Sequence, residues 1–297
     1  MTTKNGLFWN KSWNPVKAKG GGFFCTKISP GCQNCWSEAL NLRFGNGLPF
    51  DNRQVEFELD QRILEAPFHW RKPRIVAVQW LGDLFHEQIP YKFKKQIIEV
   101  IDWSTKHTFL ILTKRPQRML EWFSYKEHFR VRADRVSEEC GDTFHLNHES
   151  SDPTENWPLD NLWLGVSIST QQEANEKIPI LLQTPATHRF VNLEPMLEEI
   201  NFSYITNPKI SPTHNVLGNK YGVYQYSNEI INWVLLGCES GPGRRPMKLE
   251  WARNIVEQCK ASGVPLFIKQ LDLDGKVEKD LSKFPNDLKI REHPIWK

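Results

Sequence analysis

A single rhythm constrains this chain more than any other feature: short apolar, β-branched runs, each leading into a stretch with helical spacing. Residues 74–80 read as a strand and 91–104 as the helix after it. Residues 108–113 are followed by 116–128, and 161–168 by 171–183. A fourth strand covers 188–194, a fifth at 232–237 precedes a helix at 249–262, and a sixth covers 264–270. Uninterrupted apolar strands alternating with helices predict a parallel sheet buried on both faces. Six such units predict an α/β fold, a full or partial TIM-type (βα) barrel, as one domain over residues 1–297. That length is ordinary for a barrel and buries enough surface to need no covalent staple. Two polar stretches, 130–157 and 201–228, read as surface insertions after a βα unit. Residues 272–297 read as a peripheral tail.

Barrel chemistry gathers at the C-terminal ends of the strands, and polar residues lie there in this chain. The first strand ends in Gly82 and Asp83, with His86 and Glu87 just beyond. The next strand ends bring Lys114 and Arg115, then Ser167, then Asn192 and Glu194. The last two bring Gly237, Glu239, Ser240 and Gly241, then Lys269 and Gln270. One polar strand end is an ordinary helix cap; six in one chain outline the rim of a site. Asp83, Lys114 and Glu194 are the candidate catalytic side chains.

Three of the six cysteines, Cys25, Cys32 and Cys35, fall within eleven residues with the spacing Cys-x6-Cys-x2-Cys. The turn Ser29-Pro30-Gly31 lets their thiols converge. The first residues lack the apolar core of a leader, and no apolar run approaches the roughly 20 residues of a membrane helix. A cytoplasmic, reducing setting is therefore expected, where clustered thiols point to metal or redox chemistry rather than disulfides. Three thiolates leave one position open. They suit a [4Fe-4S] cubane with one iron free for a cofactor, or a zinc ion completed by a distant His69, His86 or Cys238.

The net charge of +3 does not by itself imply nucleic-acid binding. Lys114, Arg115, Arg244, Arg245 and Lys269 nevertheless cluster at strand ends, where like charges repel unless an anion sits among them. A phosphate-bearing substrate, a nucleotide or nucleic acid, is the expected partner. Some of the twelve Trp residues are expected to stack on its base.

Trp13-Asn-Pro-Val16, Ile28-Ser-Pro-Gly-Cys32, Asp83-Leu-Phe-His-Glu87, Leu112-Thr-Lys-Arg-Pro116, Trp163-Leu-Gly-Val-Ser167, Glu194-Pro-Met-Leu197, Gly237-Cys-Glu-Ser-Gly-Pro-Gly243 and Phe267-Ile-Lys-Gln270 occur in order. Together they resemble the phage Gp37/Gp68 (DUF5131) family. The chain departs from it in the extra residues 17–24 before Cys25, in Trp36 where the family has Tyr, and in Cys238 where it has Gly. A wider resemblance is to radical S-adenosylmethionine enzymes such as spore photoproduct lyase, which carry three N-terminal cysteines before a partial barrel. Their usual gap between the first two cysteines is three residues, against six here.

The resemblance implies an enzyme with a [4Fe-4S] cluster on Cys25, Cys32 and Cys35 and bound S-adenosylmethionine, acting in phage-related modification or repair. Gly82, Asp83, Ser167, Asn192, Glu194, Gly237, Glu239, Ser240 and Gly241 would contact the cofactor. Lys114, Arg115, Arg244, Arg245 and Lys269 would contact the substrate. An electron donor, and a partner protein to bring it, are implied too. Two other readings stand beside it: a zinc-containing barrel that exchanges or hydrolyses a base, resembling guanine transglycosylases, with Asp83 and Glu194 as nucleophile and base; and a non-enzymatic nucleic-acid binder with a zinc knuckle.

Overall fold

The structure, a computed structural model, describes residues 6–124, 157–205, 215–217 and 230–294. In chain order it runs β1 (Lys11–Trp13), β2 (Val16–Ala18), α1 (Trp36–Phe44), β3 (Phe57–Leu59), α2 (Gln61–Leu64), β4 (Ile75–Val78), α3 (Tyr91–Trp103), β5 (Thr108–Thr113) and α4 (Pro116–Ser124). It continues β6 (Leu162–Ser167), α5 (Gln171–Gln183), β7 (His188–Leu193), β8 (Trp233–Gly237), α6 (Leu249–Ser262), β9 (Leu266–Leu273) and β10 (Lys276–Glu278). All six expected strands are present. The fold is mixed α/β around an eight-stranded sheet ordered β1-β4-β5-β6-β7-β8-β9-β10. Every pairing in it is parallel except β9 with β10. β2 and β3 form a separate antiparallel pair.

Side chains alternate across a strand, and here the alternation separates two cores. Phe109 and Ile111 of β5, Leu164 and Val166 of β6, Val191 of β7, Val234 of β8 and Ile268 of β9 share one cluster with the apolar stripes of the helices. Those stripes are Ile97 and Ile101 of α3, Met119 and Phe123 of α4, Ile178 and Leu181 of α5, and Ile255 of α6. Among the described residues the opposite face carries no helix. Leu110, Trp163, Phe190, Trp233, Leu235 and Phe267 pack against one another and against Phe8. The sheet curls to permit this, because the Phe8 ring lies 5.6 Å from Trp80 beside β4 and 5.4 Å from Phe267 of β9. The concave face is thus filled by an aromatic plug. Moving two residues along each strand from that plug leads to Leu112 and Lys114, Ser167, Asn192 and Glu194, Gly237 and Lys269.

Residues 272–294 are not a peripheral tail. β10 extends the sheet, the Ile268 amide donates to the Ile290 carbonyl at 3.0 Å, and the Trp233 indole donates to the Glu292 carbonyl at 3.0 Å. The His293 ring, 5.6 Å from Trp233, covers the plug at the N-terminal ends of the strands. The insertion expected at 130–157 lies outside the described residues apart from Trp157, which stacks on Phe123 at 5.1 Å. Most of 201–228 is also outside them, but Phe202, Ile205, Val216 and Leu217 are buried in the helix-side core and are not surface. Among the described residues no helix is long and apolar enough to cross a membrane.

Gly165 faces the plug opposite Phe190 of the neighbouring strand, and a Cβ there would overlap the Phe190 ring. Gly165→Ala is therefore expected to cost about 1–3 kcal/mol as an overpacking change, read as a lowered denaturant midpoint. An unchanged midpoint would show slack that this packing does not contain.

Candidate functional site

The three cysteines lie on a loop between β2 and α1. The Cys32 amide donates to the Ser29 carbonyl at 2.9 Å, closing the Ser29-Pro30-Gly31 turn, and α1 starts directly after Cys35. Gly31 presses this turn onto the strand ends. A Cβ there would overlap the Ser169 hydroxyl and lie 3.1 Å from Lys114 Nζ, so close approach demands the glycine.

Two arginines hold the loop down. Arg115, at the end of β5, is buried. It donates to Thr26 Oγ1 at 2.5 Å and Cys25 Sγ at 3.7 Å on the loop side, and to Asp83 at 3.2 Å and Glu87 at 2.8 Å on the strand side. Arg245, beyond β8, donates to the Pro30 carbonyl at 2.9 Å and Gln33 at 3.2 Å, and pairs with Glu239. Asn34, between Cys32 and Cys35, completes the second clamp by donating to Glu239 and to the Gly243 carbonyl, each at 2.9 Å.

Between loop and sheet lies a pocket of about 140 Å³. Cys25, Cys32 and Cys35 line it together with Lys114, Ser167, Asn192, Glu194 and Lys269 from the concave face. The sequence-predicted thiols and strand-end residues therefore meet at one place. Among the described residues no group of three or more His, Cys, Asp or Glu side chains is placed to hold a metal ion.

Electrostatics distinguishes the thiols. Burial, followed by the charge of Asp83, pushes Cys25 up to about 12. Burial also raises Cys35. Burial opposes ionisation of Cys32 too, but the charge of Lys114 and hydrogen bonds from the Ile28 and Ser29 segment outweigh it and hold this thiol below its ordinary value. Lys114 donates to Ser167 Oγ at 2.7 Å and, among the described residues, has no carboxylate partner.

Several expected roles change. Asp83 accepts four hydrogen bonds, from Thr113 Oγ1, the Phe85 and Lys114 amides, and Arg115. It is a structural carboxylate with no lone pair direction left for a nucleophile or a cofactor amine. The basic rim is internally neutralised: Arg115 by Asp83 and Glu87, Arg244 by Asp272, Arg245 by Glu239, and Lys269 by Glu194. The repulsion argument for a phosphate thus fails at all of these positions except Lys114. Gly82 fits because the Phe24 carbonyl lies 3.1 Å from where its Cβ would be, and Gly237 because Glu194 packs over it. Glu239 is committed to the clamp, with Ser240 on the pocket rim beside it, and Gly241 supplies a left-handed turn, φ 98°. As for a distant fourth ligand, His69 is exposed. His86 is buried between Phe24 and Phe57, and burial lowers its pKa to about 4; neither lines the pocket. Cys238 does, and burial pushes it up to about 12. Trp9, Trp80, Thr26 and Asn34 belong to the site without any local sequence signal.

The fold and site define an α/β protein with a cysteine-lined pocket over the concave face of a curled, mostly parallel sheet. The chain belongs to the family described as protein of unknown function (DUF5131), whose model matches residues 5–287. No curated protein matches the chain, and no solved structure does. The resemblance to radical S-adenosylmethionine enzymes gains no support from these comparisons.

Removing Arg115 leaves Asp83 buried and uncompensated, so Arg115→Ala is expected to cost about 3–5 kcal/mol, measured by denaturant unfolding; a cost below 1 kcal/mol would contradict the clamp. Lys114→Gln is expected to raise the Cys32 thiol pKa, moving the pH dependence of its alkylation upward. An unmoved profile would show that Lys114 does not set it.

Proposed function

We propose that this chain is an iron–sulfur enzyme of the radical S-adenosylmethionine type on a partial (βα) barrel. The observation that carries the reading is that Cys25, Cys32 and Cys35 line the same pocket as the strand-end residues of the concave face. The donor set suits a cubane better than a single zinc ion. Three thiolates leave one iron of a four-iron cluster open for a cofactor. Lys114 offsets part of the thiolate charge. Asn192 Oδ1 and Ser169 Oγ are buried without partners among the described residues, which marks unfilled polar positions at this end of the sheet.

In this reading Cys25, Cys32 and Cys35 hold the cluster and leave one iron for S-adenosylmethionine. Such a cluster would pass one electron from an external donor to the sulfonium of S-adenosylmethionine, breaking a carbon–sulfur bond so that methionine leaves and a carbon radical able to take a hydrogen atom from substrate remains. The protein's own part is enclosure. The aromatic plug closes the pocket from below, the arginine clamps close it from above, and water is kept from the reacting groups. Cofactor and substrate together exceed 140 Å³, so the pocket must widen on its open side, beside the exposed Trp36. The base-exchange alternative is disfavoured because its nucleophile, Asp83, is saturated.

Protein purified without air is expected to carry iron and acid-labile sulfide, and the Cys25, Cys32 and Cys35→Ala triple variant to lose both. Zinc alone in the parent, or full iron in the variant, would overturn the reading.

A further inference from the structure

One part of the pocket is unused by the thiols. Asn192 and Glu194 are two residues apart at the end of β7 and so share the concave face. Asn192 is 5% exposed, and its Oδ1 has no hydrogen-bond partner among the described residues. Leaving such an acceptor buried and unpaired is costly, and a ligand N–H would remove that cost. Glu194 accepts from Lys269 Nζ at 2.6 Å through Oε1, which leaves its other oxygen for a second donor. Lys269 also sits over the Trp9 ring, 5.6 Å from its centroid, and Trp9 lies 4.9 Å from Trp80. Both indoles are partly exposed pocket walls whose N–H groups are already engaged, with Ser12 and with the Leu110 carbonyl. Their faces are what they offer a ligand.

The site therefore presents two acceptors, one ammonium donor and an aromatic wall. We propose that it binds a planar nitrogen heterocycle through the edge that guanine presents, a ring N–H between a ring carbonyl and an exocyclic amino group. The N–H groups donate to Glu194 and Asn192, the carbonyl accepts from Lys269, and the ring lies against Trp9 and Trp80. A cavity of about 140 Å³ is close to the roughly 150 Å³ that holds a benzene ring. It takes the six-membered ring that carries this edge and leaves the sugar and any phosphate outside. Adenine and cytosine carry an amidine edge, whose ring nitrogen would aim a lone pair at the Glu194 carboxylate, so the site rejects them. The proposal rests on reading this pocket as the active site but not on the cluster.

The test is calorimetric titration of guanosine, uridine, adenosine and cytidine into the protein and into its Cys25, Cys32 and Cys35→Ala triple variant. Guanosine is expected to bind at least tenfold more tightly than uridine, adenosine or cytidine in both proteins. Asn192→Leu, which keeps size and removes the acceptor, is expected to abolish that preference. Trp9→Leu, at a partly exposed position that does not threaten folding, is expected to weaken all binding at least tenfold. Equal binding of the four nucleosides, no binding at millimolar concentration, or unchanged binding in Trp9→Leu would each overturn the proposal. Guanosine preference in a protein that holds no iron would leave it standing while the radical reading falls; iron without guanosine preference would do the reverse.

Discussion

The buried ion pair between Arg115 and Asp83 joins what the chain keeps apart. Asp83 follows β4, Arg115 ends β5, and the same guanidinium reaches Thr26 and Cys25 on the loop that precedes both strands. Two desolvated charges are tolerable only when their remaining donors and acceptors are satisfied, and here they are. Asp83 receives four hydrogen bonds and Arg115 gives its remaining ones to Glu87 and the loop. The Arg245 and Glu239 pair repeats the arrangement on the Cys32 side. Carboxylates at strand ends thus fix arginines, and the arginines fix the thiols over the concave face.

This arrangement explains why the basic residues are poor evidence for a phosphate. A cation at a strand end carries the same signal in sequence whether it faces a ligand or a carboxylate many residues away. Arg244 meets Asp272 across 28 residues and Lys269 meets Glu194 across 75. Among the described residues Lys114 is the rim cation without a carboxylate partner, and its charge lowers the Cys32 thiol. The polarity of the pocket is therefore directed at the sulfur wall and at the orphaned acceptor of Asn192, not at the rim.

The alternation of strands and helices was legible because parallel strands buried on both faces must be continuously apolar, and all six expected strands appear. The strand-end positions of Lys114, Ser167, Asn192, Glu194 and Lys269 were legible too, since each closes an apolar run, but which strand-end residues face the pocket was not, because a continuously apolar strand does not mark its two faces. β1, β2 and β3 were not, because three-residue strands such as Lys11–Trp13 carry no measurable period. Residues 272–297 looked peripheral because Leu288 and His293 are isolated apolar or aromatic residues in a polar stretch, and only tertiary contact buries Leu288 and half-buries His293. The roles of Asn34 and Thr26 come from partners on other elements, and nothing in their own neighbourhood marks them.

The account turns on whether the three thiols hold a cluster with one iron left over. The most direct measurement is a Mössbauer spectrum of iron-57-enriched protein purified without air, recorded with and without S-adenosylmethionine. One iron of the four in the cubane is expected to respond to the added ligand while the other three keep their cysteine-bound parameters. A spectrum in which no iron changes, or in which all change together, would contradict it.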